Sequence, residues 1–231
     1  MNPNQLAECP LVLKEFLGYM ETIKGKSPKT VQEYFFDLRT FFRYMKIKKN
    51  LTAADTEFSE IPIDDITIDF LSMVSLTDVY EFMNFVTIKR ENKNAARARK
   101  SASLRAFFQY LTNKTHQLKE NPVQELETPK QKKSLPKYLT LEQSIDLLNA
   151  VDGPFRERDY CILTLFLNCG LRLAELVGLN LNDIRPDHTM RVTGKGNKER
   201  MIYLNSACQK AIEEYLKVRP NPMSVSDKKA L

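Results

Sequence analysis

A proline-punctuated, lysine-rich segment divides the chain into two stretches of different pattern. Its prolines stand at positions 122, 129 and 136, and proline interrupts helices and favours extended backbone. The lysines of the segment are Lys130, Lys132, Lys133 and Lys137. We therefore expect two domains, residues 1–118 and 139–231, joined by an extended basic linker over residues 119–138.

The first domain is predicted to be a bundle of four helices. Its apolar residues recur at the spacing of helices that bury one face. Ser27 and Pro28 begin one helix, because serine caps helices and proline fits the first helical position. Its apolar stripe consists of Val31, Tyr34, Phe35, Leu38, Phe41, Phe42 and Met45. The other helices are expected near residues 11–23, 76–88 and 95–111, with a short one near the end of a polar connection over residues 46–69.

The second domain is predicted to be mainly helical with one small antiparallel sheet. Thr140 and Gln143 have the spacing of a capping box, which marks a helix start. An apolar helix is expected over about residues 155–168 and another over about residues 206–218. A short arginine-bearing helix and a two-stranded hairpin lie between them. The fold class is therefore mainly α.

The composition excludes several classes of protein. No apolar run approaches the roughly 18 residues of a membrane span, and the N-terminus lacks the basic start and apolar centre of a secretory signal. The four cysteines lack the paired spacing of zinc or disulfide sites, and two histidines are too few for a metal site. We expect structural cysteines, no metal, no membrane contact and a cytoplasmic location. The net charge of +6 favours an anionic partner.

A strongly basic segment covers residues 89–105 and has a single acid, Glu91. Its cations are Lys89, Arg90, Lys93, Arg97, Arg99, Lys100 and Arg105. Such a run can neutralise several phosphates along a DNA backbone. The alternative is a solvated helix face with its aromatic stripe packed inward. The neighbouring lysines of the linker favour the nucleic acid, because two basic segments on either side of a hinge could wrap a duplex.

An arginine follows a glycine at the start of the short helix of the second domain. Gly170 can adopt a left-handed backbone and end the preceding helix. Arg172 is then expected in the first turn of the next helix, with Glu175 on the same face to orient its guanidinium. A guanidinium binds two phosphate oxygens and keeps its charge. The residues of this helix expected to face the core are Leu173, Leu176 and Val177.

A glycine-flanked lysine stands at the tip of the predicted hairpin. Residues 190–192 and 201–203 alternate as strands, with Gly194, Lys195, Gly196 and Asn197 between them. The glycines allow a tight turn and a close approach to a ligand. An ammonium on such a tip can enter a DNA groove and give a proton to a leaving oxygen.

The arginine helix and the lysine hairpin together resemble the first half of the active site of the tyrosine recombinases, especially the Xer-type site-specific recombinases. Other stretches are similar to the same family. Residues 27–42 resemble the opening helix of its core-binding domain, residues 103–111 the last helix of that domain, and residues 121–139 the linker. The resemblance implies a SAM-like four-helix core-binding domain followed by the first part of the catalytic domain.

The resemblance also implies a reaction and its participants. In the family, a tyrosine attacks a DNA phosphate, forms a 3′-phosphotyrosyl link and releases a 5′-hydroxyl, which then attacks such a link on a partner strand. Neither ATP nor a metal nor another cofactor is needed. Arg172 would stabilise charge on the phosphoryl oxygens, Lys195 would protonate the leaving oxygen, and Glu175 would support the arginine. The implied partners are double-stranded DNA and a homo- or hetero-tetramer of recombinase subunits.

The second half of the family's site has no counterpart in the sequence. The family continues after the helix that ends near Arg219 with a His-x-x-Arg motif, a further His or Trp and the nucleophilic tyrosine. The literal motif from His188 to Arg191 stands where the family has a variable turn and a strand, so we attribute it to chance. Tyr203, in a strand, and Tyr215, on an apolar helix face, do not correspond to the family's tyrosine.

Two functions therefore stay open. The chain is either part of a longer recombinase, which by itself binds DNA without cleaving it and is a monomer, or a naturally short, inactive relative that competes for recombination sites. A helical DNA-binding regulator unrelated to recombination would explain the basic segment but not the hairpin lysine. Chromosome-dimer resolution and mobile-element integration both fit the enzyme hypothesis.

Overall fold

The computed structural model describes residues 5, 7–53, 55–128, 135, 137–222 and 229–231. These residues form a mostly helical fold with one two-stranded antiparallel sheet, which confirms the predicted fold class. The chain divides into two compact units, residues 1–134 and 135–231. Three of the predicted DNA-contacting residues, Lys130, Lys132 and Lys133, lie outside the described residues. Among the described helices, none combines the length and apolar character required to cross a membrane.

Among the described residues of the first unit are four long helices and one short one with defined bounds, as predicted. They are α1 (Leu11–Thr22), α2 (Pro28–Lys48), α3 (Ile68–Ser72), α4 (Leu76–Ile88) and α5 (Asn94–Asn113). The Ser27 hydroxyl accepts the Thr30 N–H at the start of α2, where Pro28 occupies the first helical position. At α4, Ser75 and Asp78 form a reciprocal capping box. Local sequence therefore determines where these helices begin.

Phenylalanines dominate the core of the first unit. Phe41 contacts Phe82 edge to face at 5.1 Å between ring centroids, and Phe107 meets Phe16 in the same way at 5.3 Å. The fully buried aromatic residues are Phe16, Phe35, Phe41, Phe42, Phe82, Phe107 and Phe108. Val123 and Leu126, beyond α5, are also buried in this core. The first unit therefore includes part of the segment that follows its last helix.

A buried ionic cluster connects α2 to α5. Asp37, whose side chain is 1% exposed, accepts hydrogen bonds from Lys100 Nζ at 2.7 Å and from Arg99 Nη1 at 2.8 Å. The Ser103 hydroxyl donates to the same carboxylate at 2.8 Å. Arg99 also pairs with Glu33 at 2.6 Å. The carboxylate is thus fully neutralised within the bundle, as a buried charge requires.

The second unit has four helices, one 3₁₀ turn and a hairpin among its described residues. They are α6 (Leu141–Asn149), α7 (Arg156–Cys169), α8 (Leu173–Val177), the 3₁₀ turn (Leu181–Asp183), β1 (Thr189–Thr193), β2 (Glu199–Tyr203) and α9 (Ser206–Val218). The predicted capping box of Thr140 and Gln143 opens α6. The core combines α7, α9 and the inner face of the hairpin.

The hairpin register decides which side chains reach the interior. Its pairs run from Thr189 opposite Tyr203 to Thr193 opposite Glu199. Because successive side chains point to opposite faces, Met190 and Val192, both fully buried, share the inner face with Ile202 and Arg200. The outer face has the remaining strand residues, Thr189, Arg191, Thr193, Glu199, Met201 and Tyr203.

Candidate functional site

Gly170 redirects the chain between α7 and the arginine that follows. Its φ of 58° and ψ of 38° are left-handed, as predicted, and its N–H bonds the Phe166 carbonyl to close α7. Arg172 then has an extended backbone and is the residue that caps α8, one position before the predicted first turn. Its side chain is 73% exposed. The glycine turn therefore presents the arginine at the surface.

The prediction that Leu173, Leu176 and Val177 of α8 face the core is partly wrong. Leu176 packs against the core, but Leu173 and Val177 are 69% and 72% exposed. The helix has only five residues, little more than one turn, so it cannot present a wide apolar stripe. Leu171 and Leu179, on either side of the helix, supply the buried contacts instead.

Glu175 is the centre of the site. Its carboxylate accepts the Arg172 backbone N–H and the Arg172 Nη1, each at 2.8 Å. The Glu175 residue is 4% exposed, whereas the Arg172 side chain that it binds is 73% exposed. Because a fixed carboxylate restrains both the backbone and the guanidinium of Arg172, the arginine is held in one orientation. The hydrogen bonds place Glu175 against Arg172, and the role expected for Glu175 as support for a catalytic arginine stays a prediction.

Arg200 is a second arginine on the same carboxylate, and it is not among the site residues predicted from the sequence. Its Nη1 and Nη2 donate to Oε1 and Oε2 of Glu175 at 2.8 and 2.9 Å, a bidentate pair. The pairing of the two hairpin strands could have identified Arg200 as a site residue. Arg200 faces Val192 across the strands and shares the inner face with Ile202, so its partly exposed side chain lies beside buried apolar residues, where an acidic partner is expected.

Gly194 brings the hairpin tip against the same carboxylate. A Cβ at this position would lie 2.9 Å from Glu175 Oε1, closer than real Cβ contacts allow. Because two arginines hold this oxygen, a glycine at position 194 leaves the carboxylate undisturbed, whereas a larger residue would displace it. Lys195 follows directly and is exposed at the tip, where Gly196 has a left-handed φ of 75°. Glu175 thus links the arginine helix to the lysine hairpin.

The electrostatics of the site favour an anionic ligand. Hydrogen bonds from Arg200, and then from the Arg172 backbone and side chain, hold the pKa of the Glu175 carboxyl well below its usual range. The carboxylate is buried, whereas the arginine side chains that bind it are 73% and 40% exposed. The negative charge therefore lies inside and the cations outside. With Lys195 on the adjacent tip, this surface suits a phosphate.

The literal His-x-x-Arg sequence forms a different structure. Arg191 donates two hydrogen bonds to Asp183 at 2.9 and 2.8 Å, and it points to the outer face of the hairpin, opposite Arg200. His188 is in the turn before β1, with a left-handed φ of 59°.

The two tyrosines near the site are not presented to it. Tyr203 is 72% exposed on the outer hairpin face, opposite the face that carries Arg200. Tyr215 packs against the core of the second unit. Within the described residues, no group of three or more histidine, cysteine or acidic side chains is arranged to hold a metal ion.

The basic residues of the first unit differ in their surroundings. Lys89 and Lys93 are exposed, and the exposed Arg90 covers the Phe58 ring at 5.0 Å. Arg97 donates to Thr87, and Arg105 to Thr128. Arg99 and Lys100 are in the cluster around Asp37, where Lys100 is buried. The segment therefore combines cations that face solvent with cations that hold the bundle together.

Comparison with known proteins relates both units to one family. Residues 137–230 match the Phage integrase family. The chain is 54% identical over 222 residues to tyrosine recombinase XerC of Caldanaerobacter subterraneus subsp. tengcongensis, a match that covers 96% of the chain and 62% of that relative. It is 33% identical over 209 residues to tyrosine recombinase XerD of Listeria monocytogenes, covering 89% and 64%. The chain thus spans less than two thirds of the length of these relatives.

Solved structures of recombinases have the same fold. The XerH site-specific recombinase, determined bound to difH substrate as a pre-cleavage complex, matches 100% of this chain and 69% of its own, with a TM-score of 0.64 and 16% identity. The Tn1549 transposon integrase, determined with a circular intermediate DNA, matches 95% of this chain and 73% of its own, with a TM-score of 0.58 and 17% identity.

Proposed function

The chain belongs to the tyrosine recombinases of the Xer type, and we propose that it supplies the DNA-binding unit and half of the active site for site-specific DNA recombination. The full reaction would cleave and rejoin strands through a 3′-phosphotyrosyl intermediate. The observation that carries the proposal is the junction at Glu175, where an exposed arginine and a lysine-bearing tip meet on one buried carboxylate.

Arg172 would stabilise the phosphate during attack. The reacting phosphoryl group gains charge on its non-bridging oxygens, and a fixed guanidinium stabilises that charge without reorganising. Glu175 restrains the arginine through two hydrogen bonds, while most of the side chain stays exposed. This preorganisation is the property that distinguishes a catalytic arginine from an ordinary surface cation.

Lys195 would act as the general acid. The leaving 5′-oxygen must gain a proton as its bond to phosphorus breaks, and an ammonium can supply it. Lys195 lies on the same hairpin as Arg200, which binds the Glu175 carboxylate that also binds Arg172. The exposed tip leaves the ammonium accessible to DNA.

Arg200 would be a positioning residue. Its bidentate pair holds the Glu175 carboxylate, and the carboxylate in turn holds Arg172. Arg200 is a residue of β2, and Glu175 is a residue of α8. Their ion pair therefore connects the hairpin to α8 close to the turn that carries Lys195. Its effect on the reaction would therefore pass through the geometry of two other residues.

The nucleophile is not identified among the tyrosines near the site, because Tyr203 points to the outer hairpin face and Tyr215 packs in the core. By itself the chain would therefore bind DNA without forming a covalent link. The same observation favours a second candidate function, a catalytically inactive relative that occupies recombination sites. The two candidates share the DNA contacts and differ in whether the polypeptide includes a reactive tyrosine.

The remaining partners follow from the family proposal. Double-stranded DNA would be the substrate, and the complete enzyme would act as a homo- or hetero-tetramer on two duplexes, whereas this chain would be a monomer. Its described cysteines are free thiols, which fits a reducing compartment such as the cytoplasm.

Duplex binding by the 231-residue chain is expected to depend steeply on salt and to stay non-covalent. Neutralising roughly five phosphates would weaken affinity by about two to three orders of magnitude between ~50 and ~200 mM salt. Lys93→Ala, at an exposed position of the basic segment, is expected to lower the salt slope by about one. Fluorescence anisotropy across a salt series measures both, and denaturing gels detect any covalent adduct.

The matched control is Lys14→Ala, which removes the same charge from an exposed position on α1 and is expected to leave the slope unchanged. A flat salt response, or equal effects of the two variants, would contradict the proposed basic footprint. A protein–DNA adduct that survives denaturation would show that this chain contains its own nucleophile.

A further inference from the structure

Two cysteines of the second unit face each other across α7 and α9. The sulfurs of Cys169 and Cys208 lie 3.8 Å apart, within the range of an S–H···S hydrogen bond, and both thiols are free. Cys169 ends α7, and Cys208 is in the first turn of α9. Neither residue has a role in the proposed recombination site. The sequence predicted them as structural cysteines, because their spacing does not show this contact.

Hydrogen bonds beside the two sulfurs connect the helix ends that carry them. Asn205 Nδ2 donates to Asn168 Oδ1 at 2.8 Å, one residue before Cys169. Asn205 Oδ1 also accepts the Cys208 backbone N–H at 2.9 Å. The end of α7 and the start of α9 are therefore connected beside the thiol pair. A disulfide has sulfurs about 2.05 Å apart, so the two sulfurs, now 3.8 Å apart, must approach each other for the bond to form.

The two thiols differ in accessibility and acidity. Cys169 is partly exposed, whereas Cys208 is fully buried. The hydrogen bond with Cys208 lowers the pKa of the Cys169 thiol below its usual range, although burial opposes this shift. The same hydrogen bond and burial raise the pKa of Cys208. Burial raises the pKa of the neighbouring Cys161 to about 11. An accessible, acidic thiol beside a second thiol is typical of oxidation-sensitive cysteines.

We propose that Cys169 and Cys208 form an oxidation site that low-molecular-weight disulfides, such as oxidised glutathione, convert into an intramolecular disulfide. The Cys169 thiolate attacks one sulfur of the oxidant, forms a mixed disulfide and releases one glutathione thiolate. Cys208 then loses its proton and attacks the Cys169 sulfur, which releases the second glutathione. The protein loses two hydrogens, and the oxidant is reduced to two thiols. Cys169 is the attacking residue and Cys208 the resolving one.

The bond would form next to the catalytic half-site. Cys169 directly precedes Gly170, whose left-handed turn leads to Arg172. A Cys169–Cys208 link would tie this turn covalently to the first turn of α9. The proposal does not depend on recombination, because it rests on the placement and exposure of the two thiols.

The experiment uses the 231-residue protein, incubated with oxidised glutathione and then alkylated and mapped by peptide mass spectrometry. We expect loss of two alkylatable thiols and a cross-linked peptide pair containing Cys169 and Cys208. Cys208→Ser is expected to stop the reaction at a glutathione adduct on Cys169. Cys161→Ser, which removes the other buried thiol of the same core, is the matched control and should keep the cross-link.

Two results would overturn the proposal, and both come from the unmodified protein, so they do not depend on the folding of a variant. One is a glutathione adduct on Cys169 that persists without resolution. The other is the survival of both thiols under conditions that oxidise a small dithiol. A cross-link that includes Cys161 instead would also overturn the assignment of Cys208 as the resolving residue.

Discussion

Replacing Arg172 by alanine is expected to slow DNA strand cleavage by about two to three orders of magnitude in a complete recombinase that contains this chain. The loss follows from removing a preorganised cation from the reacting phosphate. Because the side chain is 73% exposed and does not pack in the core, the variant should fold normally. Single-turnover cleavage of a DNA duplex that carries the recombination site, at saturating protein, measures the effect.

Two further variants distinguish a residue that contacts the phosphate from one that positions other residues. Arg172→Lys keeps the charge but loses the planar fork, so it should remain strongly impaired. Arg200→Ala leaves the Arg172 guanidinium in place and loosens Glu175 and the hairpin that carries Lys195, so it should slow cleavage less than Arg172→Ala. If Arg200→Ala slowed cleavage more than Arg172→Ala, the assigned roles of the two arginines would be reversed.

Replacing Asp37 by alanine is expected to destabilise the first unit by about 3–5 kcal/mol. The substitution leaves Lys100, which is 7% exposed, without its carboxylate inside the bundle. Arg99 keeps its second partner, Glu33, and should tolerate the change better. Urea unfolding gives the total change, and hydrogen exchange in α2 and α5 assigns it to the first unit.

The double variant Asp37→Leu with Lys100→Met is the control for this prediction. Replacing both partners by apolar residues of similar size removes the buried charges, so most of the lost stability should return. A loss below about 1 kcal/mol in Asp37→Ala would mean that Lys100 reaches water when its partner is absent.

Local signals explain what the sequence predicted well. The caps at Ser27 and Thr140 and the left-handed Gly170 depend on residues within four positions of one another, so they can be read directly. The apolar spacing located the long helices for the same reason. The lysine tip was also visible, since the glycines on both sides of Lys195 need no distant partner to indicate a turn.

Long-range pairings explain what was missed. Asp37 and Lys100 are 63 residues apart, and nothing in the basic segment distinguishes the buried Lys100 from the exposed Lys93. Arg200 required the hairpin register, because only the pairing with Val192 places it on the inner face. Val177 is exposed because α8 has only five residues, and the apolar spacing does not show how short the helix is.

The leaving-group dependence of Lys195→Ala tests the central claim most directly. In the complete recombinase, Lys195→Ala should cleave ordinary DNA slowly while binding it normally, because the leaving oxygen then lacks its proton donor. A substrate with a 5′-thiolate leaving group needs no such proton, so cleavage by Lys195→Ala should recover while Arg172→Ala stays slow. If the thiolate substrate did not rescue Lys195→Ala, the lysine would only position DNA, and the half-site proposed around Glu175 would lose its general acid.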